Sequence, residues 1–216
     1  METITAPWAS SLRLAVGRIG PMEDHLRRFA ARLYEQSRAH DQERSDRLER
    51  FRNVEPPTAE LLGVLIRAVR ARGILELGTS NGYSTIWLAD AARVTGGKVV
   101  SVDLDASRTQ LARENLREVG LSEVVELRVG DAGDLLTDSV AGEWEFIFLD
   151  AERAAYAGYV GDLVRVLAPG GVLAIDNVLS HEDELVEFTA LIEAAEGLTQ
   201  TVVPVGAGLR RAVRDM

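Results

Sequence analysis

The spacing of apolar residues changes along this chain, and the change divides it. Between residues 22 and 52, Leu26, Phe29, Ala30, Leu33 and Tyr34 fall at i, i+3, i+4, i+7 and i+8, the stripe of an amphipathic helix. Leu48 and Phe51 predict that this helix, or a second one, resumes. The Asp, Glu and Arg residues between them alternate in sign, the pattern of a solvated face. Pro56-Pro57 closes the segment, so residues 1–55 read as an N-terminal helical arm and 56–216 as the main domain. The polar half of the arm is expected to face solvent. Its apolar stripe fits packing on the main domain, a dimer contact or a wall over an active site.

Beyond Pro57, short β-like runs alternate with helical patterns. Helices are predicted over 58–70 with Thr58 as N-cap, 84–92, 107–119 ending at Gly120, 156–167 and 182–195. Strands are predicted over 73–77, 98–102, 124–129, 146–149 and 172–175. Phe146-Ile147-Phe148-Leu149 is apolar on both faces, as a central parallel strand is. The rhythm breaks at the end. The β-runs at 201–205 and 209–214 are joined by Gly206-Ala207-Gly208 alone, too short for a crossover, so they pair antiparallel. The expected fold is α/β: seven strands, mostly parallel, helices on both faces, and an antiparallel C-terminal hairpin at one edge.

Composition narrows the function classes. With 216 residues, 46 % of them hydrophobic, the chain is one domain, or one with an appended segment, large enough for a sizeable core. Its 24 Lys+Arg against 34 Asp+Glu give a net charge of −10, which argues against non-specific binding to nucleic acid or to an anionic membrane. No apolar run approaches the roughly 20 residues that span a bilayer. No basic-then-apolar N-terminus ends in a cleavage site, so a cytoplasmic location is expected rather than secretion. Zero cysteines exclude a disulfide scaffold, thiolate metal ligands and a cysteine nucleophile. Any metal would be held by oxygen or histidine.

Glu76-Leu77-Gly78-Thr79-Ser80-Asn81-Gly82-Tyr83-Ser84 follows the first predicted strand and opens a helix. Its glycines let the backbone turn sharply and approach a ligand, and the helix N-terminus with Ser84 offers donors to an anionic group. The spacing is not that of a dinucleotide loop and weighs against a nicotinamide oxidoreductase. It suits a smaller anion, such as the carboxylate of an amino-acid moiety. Asp103 ends the second strand about 20 residues beyond the loop, where a carboxylate grips ribose hydroxyls in doubly wound folds. Gly130-Asp131-Ala132 ends the third strand, beside where an adenine would lie.

In order along the chain, ELGTSNGYS (76–84), SVDLD (101–105), FLDAERAAY (148–156), PGGVLAIDN (169–177) and VPVGAGL (203–209) resemble the motifs of S-adenosylmethionine-dependent methyltransferases. The closest resemblance is to the metal-dependent catechol and caffeoyl-CoA O-methyltransferase family, and it runs from about Val54 to the C-terminus. It implies a Rossmann-like methyltransferase fold, S-adenosylmethionine as cofactor and a homodimer. Cofactor-contacting positions by that resemblance are Val54, Glu76, Gly78, Thr79, Ser84, Asp103, Ala132 and Glu152, with Asp131 beside Ala132. Glu152 stands where the family usually has aspartate, keeping the charge and lengthening the reach.

Asp150 ends the fourth predicted strand, and Asp176-Asn177 ends the fifth. Neighbouring parallel strands bring their carboxyl ends to one rim. Two carboxylates and an amide carbonyl suit a hard divalent cation, Mg²⁺ first, with Ca²⁺ or Mn²⁺ as alternatives. Capping of the following helices is the other use of such residues. A vicinal aromatic diol chelating the ion has its hydroxyl acidified into a nucleophile near neutral pH. The expected activity is methyl transfer to a hydroxyl of a small aromatic, catechol-like acceptor, with Asp150 and Arg153 at the reacting end. A metal-independent methyltransferase and a non-catalytic cofactor-binding dimer are the alternatives.

Three further positions depart from the family. Arg153 stands where a lysine is commonly assigned as general base. A guanidinium stays protonated at any working pH, so the proton is expected to pass to water or Glu152, with Arg153 steadying the phenolate as a fixed charge. Glu60 replaces a substrate-contacting lysine of the caffeoyl-CoA enzymes, which disfavours a polyanionic CoA ester. His181 replaces a substrate-contacting asparagine and reads either as acceptor wall or as a surface residue at a helix start.

Overall fold

The computed structural model describes residues 22–216. The first 21 residues of the arm, and with them the expected absence of a secretion signal, lie outside the described residues. The strands are β1 (Gly73–Leu77), β2 (Lys98–Asp103), β3 (Val125–Val129), β4 (Trp144–Leu149), β5 (Leu167–Ile175), β6 (Leu198–Val203) and β7 (Leu209–Arg214). They form one sheet in the order β3-β2-β1-β4-β5-β7-β6. The first five strands pair parallel, and β7 lies antiparallel between β5 and β6. The expected architecture is therefore present. The chain leaves β1 toward β2 and β3, then returns to β4 on the other side. Order reverses between β1 and β4, which opens a crevice outside the carboxyl ends of those strands.

Strand alternation splits the core into two layers. Ile74, Phe146, Phe148, Val172 and Ala174 face α1 (Asp24–Gln42), α2 (Pro56–Val69) and α3 (Tyr83–Thr95). Leu75, Leu77, Ile147, Leu149, Leu173 and Ile175 face α5 (Ala132–Asp138), α6 (Tyr156–Val166) and α7 (Val186–Ala194). The helix α4 (Ala106–Glu118) adds Leu116 to the first layer. The stripe Leu26, Phe29, Ala30 and Leu33 is buried in that layer, so the apolar face of the arm packs on the main domain. Among the described residues no helix is long and apolar enough to cross a membrane.

Several elements differ from expectation. No second long helix resumes at Leu48. Residues Arg47–Glu49 make a single 3₁₀ turn, started by the Asp46 side chain accepting the Leu48 N–H, and Leu48 stays 64 % exposed. α2 starts at Pro56 with Glu55 as its N-cap, and Thr58 is buried inside the first turn. Proline suits that first turn, since its missing N–H would have no partner there. β5 begins at Leu167, where the preceding helix was expected to end, and runs through Pro169-Gly170-Gly171 ahead of the strand start expected at Val172. β6 ends at Val203, before Pro204. The short α5 was not expected. It is started by Asp131, whose side chain accepts the Gly133 and Asp134 N–H groups.

Candidate active site

The ladder continues past the strand ends at the crevice. Gly78 N–H donates to Val102 O at 2.9 Å, Asp150 N–H to Leu77 O at 2.9 Å, and Asp176 N–H to Leu149 O at 3.2 Å. Residues just beyond β1, β4 and β5 are thereby held at one rim. Gly78 sits at φ +105°, and a Cβ there would lie 2.1 Å from the Asp150 carbonyl oxygen. Only glycine lets the end of β1 rest against that backbone. The Asp103 carboxylate then clamps the loop: Oδ2 accepts the Thr79 N–H at 3.1 Å and the Ser80 N–H at 2.7 Å, and Oδ1 accepts the Asp105 N–H at 2.9 Å.

Glu76 is fully buried and is spent inside the protein. Ser84 Oγ–H donates to Oε1 at 2.5 Å, and Thr85 Oγ1–H and Ser101 Oγ–H donate to Oε2 at 2.5 and 2.6 Å. Its role in the structure is to orient Ser84, which faces the cavity. Burial pushes its carboxyl up to about 7, against the three hydroxyls. A carboxyl with a raised folded pKa binds its proton more tightly folded than unfolded, so its charge costs stability above the unfolded value of 4.5. Stability is expected to fall as pH rises from about 4.5 to about 7. Urea unfolding at pH 5, 6, 7 and 8 should show Glu76→Gln lessening that fall, by at most about 1.4 kcal/mol per pH unit. An unchanged slope would mean that Glu76 does not titrate there.

A cavity of about 550 Å³ opens over this rim. Its front wall is a strap, residues 47–54, leaving the end of α1. Asp41 accepts the Phe51 and Arg52 N–H groups at 2.8 and 2.9 Å, with Arg52 in the left-handed region at φ 54°. His40 stacks on Phe51 at 4.2 Å. Ser80 Oγ–H donates to Phe51 O at 2.9 Å, and Arg108 donates to Arg50 O at 2.9 Å. Two ion pairs finish the closure: Arg47 Nη2 to Glu152 Oε2 at 2.7 Å and Arg52 Nη2 to Glu152 Oε1 at 2.5 Å. Burial pushes the Glu152 carboxyl up, but Arg52 and Arg47 together hold it below the usual range. With both oxygens engaged, Glu152 is a poor proton acceptor.

Asp150, Asp176 and Asn177 meet behind that pair. Asn177, left-handed at φ 65°, donates through Nδ2 to Asp150 Oδ1 at 3.1 Å and to Asp176 Oδ2 at 3.2 Å. Asp176 Oδ1 is buried without a partner among the described residues. Burial pushes both carboxyls up. The charge of Asp150 pushes Asp176 further, while Arg52 and Arg153 draw Asp150 back. Among the described residues no three His, Asp or Glu side chains form a metal cluster. This centre has two carboxylates and one amide.

The structure brings Val54, Gly78, Ser84, Asp103, Asp131, Ala132, Asp150, Glu152, Arg153 and Asn177 into the cavity wall. Glu76, Thr79 and Asp176 lie behind it, each at most 1 % exposed. His181 is in the wall, its Nδ1 2.7 Å from Ser180 Oγ. Burial and then the charge of Arg153 hold its pKa below the ordinary value. Glu60 is outside the cavity and pairs with Arg27 at 3.0 Å on the surface. The polar half of the arm, expected to face solvent, instead supplies Arg47 and Arg52 to the wall. Sequence reasoning missed these because charge alternation carries no record of a partner about a hundred positions away, and it also missed Tyr159 of α6, which lines the cavity.

Comparison with known proteins places this arrangement among relatives. A family model described as O-methyltransferase matches residues 36–209. A catechol O-methyltransferase of Niastella koreensis is 32 % identical over 158 residues, covering 72 % of this chain and 71 % of that one. The solved O-methyltransferase from Bacillus cereus in complex with S-adenosylhomocysteine superposes with a TM-score of 0.72 at 26 % identity, covering 93 % of this chain and 96 % of that one. An O-methyltransferase from Streptomyces achromogenes, involved in tomaymycin synthesis and solved with S-adenosylmethionine, gives 0.72 at 26 % identity over 90 % and 91 % of the two chains.

Proposed function

The chain belongs to the O-methyltransferase family, and from that premise we propose that it transfers the methyl group of S-adenosylmethionine to a hydroxyl of a small catechol-like diol, assisted by a divalent cation, Mg²⁺ first. The observation that carries this is the centre at Asp150, Asp176 and Asn177, where the half-buried Asp150 disfavours the charge of the buried Asp176 and Asp176 Oδ1 lacks a partner among the described residues. That cost is what a bound cation relieves, so the residues fit the ion. The cavity fits the cofactor as well. Gly78 brings the end of β1 into the wall, the start of α3 offers backbone donors to its amino-acid end with Ser84 Oγ left as an acceptor, and Asp103 keeps acceptor capacity for ribose hydroxyls.

When bound, S-adenosylmethionine supplies an electrophilic methyl on a sulfonium sulfur, and the cation acidifies a coordinated hydroxyl. Asp150, Asp176 and Asn177 fix the acceptor end of the cavity by their rim positions. Asn177 would serve a cation through its amide oxygen, with the amide turned over from its present hydrogen bonds. Arg153 keeps its proton and supplies a fixed positive charge beside Asp150. With Glu152 held by two arginines, the displaced proton passes to water. The strap excludes bulk water from the front, and positioning of two bound partners supplies much of the acceleration. A homodimer, taken over from the resemblance, belongs to this proposal.

A metal-independent transfer is the second reading, favoured by Asn177 already bridging the two carboxylates through Nδ2. Purified protein with S-adenosylmethionine and Mg²⁺, offered a panel of catechols, is expected to yield O-methylated product by mass spectrometry. EDTA should abolish the product and added Mg²⁺ restore it. Turnover indifferent to EDTA selects the second reading, and no product from any catechol defeats both.

A further inference from the structure

We infer that Arg108 is a positioning residue for the cofactor, fastening the strap over the cavity by two of the strap's carbonyls rather than by contact with the bound molecule. This rests on the methyl-transfer reading above, which puts S-adenosylmethionine behind the strap. Residues 43–55 join α1 to α2 with only the 3₁₀ turn Arg47–Glu49 between them. Irregular connections of that length inside a compact domain are usually functional. Backbone hydrogen bonds within the strap run as far as Arg50 N–H to Arg47 O at 3.2 Å. Among the described residues, Phe51 to Val54 make no hydrogen bond with other backbone. Side chains hold this stretch instead.

Arg108 stands in the first turn of α4, which Asp105 caps. Its Nη2 donates to Leu48 O and, at 2.9 Å, to Arg50 O. Both carbonyls lie at the end of the 3₁₀ turn, where a helical turn leaves acceptors open. Nε lies 3.7 Å from Asp105 Oδ2, and the side chain is 14 % exposed. Asp103 and Asp131 line the same wall, but their carboxylates accept backbone N–H groups of the glycine loop and of α5. The other ties are fewer or more exposed. Ser80 holds Phe51 O, and Asp41 holds two N–H groups from the α1 side. Arg47 and Arg52 pair with Glu152 through side chains 46, 30 and 39 % exposed, where water screens the attraction. Arg108 is thus the tie that joins the strap to the helix following Asp103. Because Arg108 also lines the cavity, direct contact with the cofactor through Nη1 is the rival role.

The test reads amide hydrogen exchange of the ligand-free protein beside calorimetric and stopped-flow binding of S-adenosylhomocysteine. Arg108→Met keeps the stem and removes the donors. It is expected to speed exchange about tenfold at the amides of Leu48 to Arg52, each of which is hydrogen-bonded, with β2 and α4 unchanged. S-adenosylhomocysteine should bind about tenfold more weakly, mostly through faster dissociation. KM for S-adenosylmethionine should rise while kcat stays within about twofold. Arg113→Met, exposed further along α4, should change none of these. Should Arg108→Met not fold, Arg108→Lys, with its charge on an unforked stem, is expected to quicken the same amides and weaken binding about threefold. Weaker binding with ligand-free exchange unchanged overturns the inference, since Arg108 would then touch the cofactor itself. A loosened strap with wild-type affinity overturns it too, since the strap would then hold nothing. A wild type that binds no S-adenosylhomocysteine, with the strap loosened by the substitution, upholds the fastening and defeats the methyl-transfer reading instead.

Discussion

Asp176→Asn is expected to lower kcat/KM for a catechol by roughly a thousandfold, while raising the unfolding temperature of the cation-free protein at pH 8 by a few degrees. The first effect follows from removing one of the two carboxylates proposed to hold the ion. Losing Lewis-acid assistance costs several kcal/mol of transition-state stabilisation, and each 1.36 kcal/mol is about tenfold in rate. The second follows from the raised pKa of Asp176, caused by burial and then by Asp150. A carboxyl with a raised folded pKa contributes most stability when protonated, and that contribution is lost as pH climbs from its unfolded value of 3.8 toward the raised one. The amide keeps the shape and removes the charge. About 1 kcal/mol regained corresponds to roughly 2–4 °C in a protein of this size. The gap between variant and wild type should narrow at pH 5, and Mg²⁺ should raise the wild type alone. Thermal scans at both pH values, with and without Mg²⁺, check this. Wild-type turnover in the variant would remove Asp176 from the metal centre.

Gly78→Ala is expected to cost more than about 4 kcal/mol, or to prevent folding. Such losses are exceptional and need a named cause. Here it is double: a backbone at φ +105°, which alanine rarely adopts, and a Cβ placed 2.1 Å from Asp150 O and 2.7 Å from Asp150 C. The obstacle is main chain of the neighbouring strand, so no side-chain rotation relieves it. Backing away would break the β1–β4 register, which pairs Leu77 with Leu149, and would carry Asp150 off the rim. Gly158, exposed in α6 with nothing within 4 Å of its added Cβ, is the matched control. Its alanine variant should gain up to about 1 kcal/mol from helix propensity. Urea unfolding of both variants decides the matter, and a Gly78→Ala protein as stable as wild type would refute the close-approach argument.

The number and direction of the strands, the hairpin and the rim position of Asp150, Asp176 and Asn177 were legible because each rests on local periodicity plus the rule that parallel strands share a carboxyl edge, whereas the strand order was not read. The glycine loop was legible for the same reason, with Gly78 and Ser84 in the wall. Glu76 was only half read. Its place before the loop is evident from spacing, but its three hydroxyl partners come from two elements that only folding assembles. α5 escaped notice because seven residues, Ala-Gly-Asp-Leu-Leu-Thr-Asp, span barely two turns and show no helical period. Arg47 and Arg52 escaped because opposite charges near them in sequence read as mutual solvation, while their partner Glu152 lies 105 and 100 positions on.

That last separation shapes how the protein comes into being. Residues 47–54 are made about a hundred residues ahead of Glu152 and of β4, which ends three residues before it. Closing so long a loop is entropically slow. A growing chain thus has the lintel of its doorway long before the threshold exists, and competence to hold a small molecule waits for the last parallel strands.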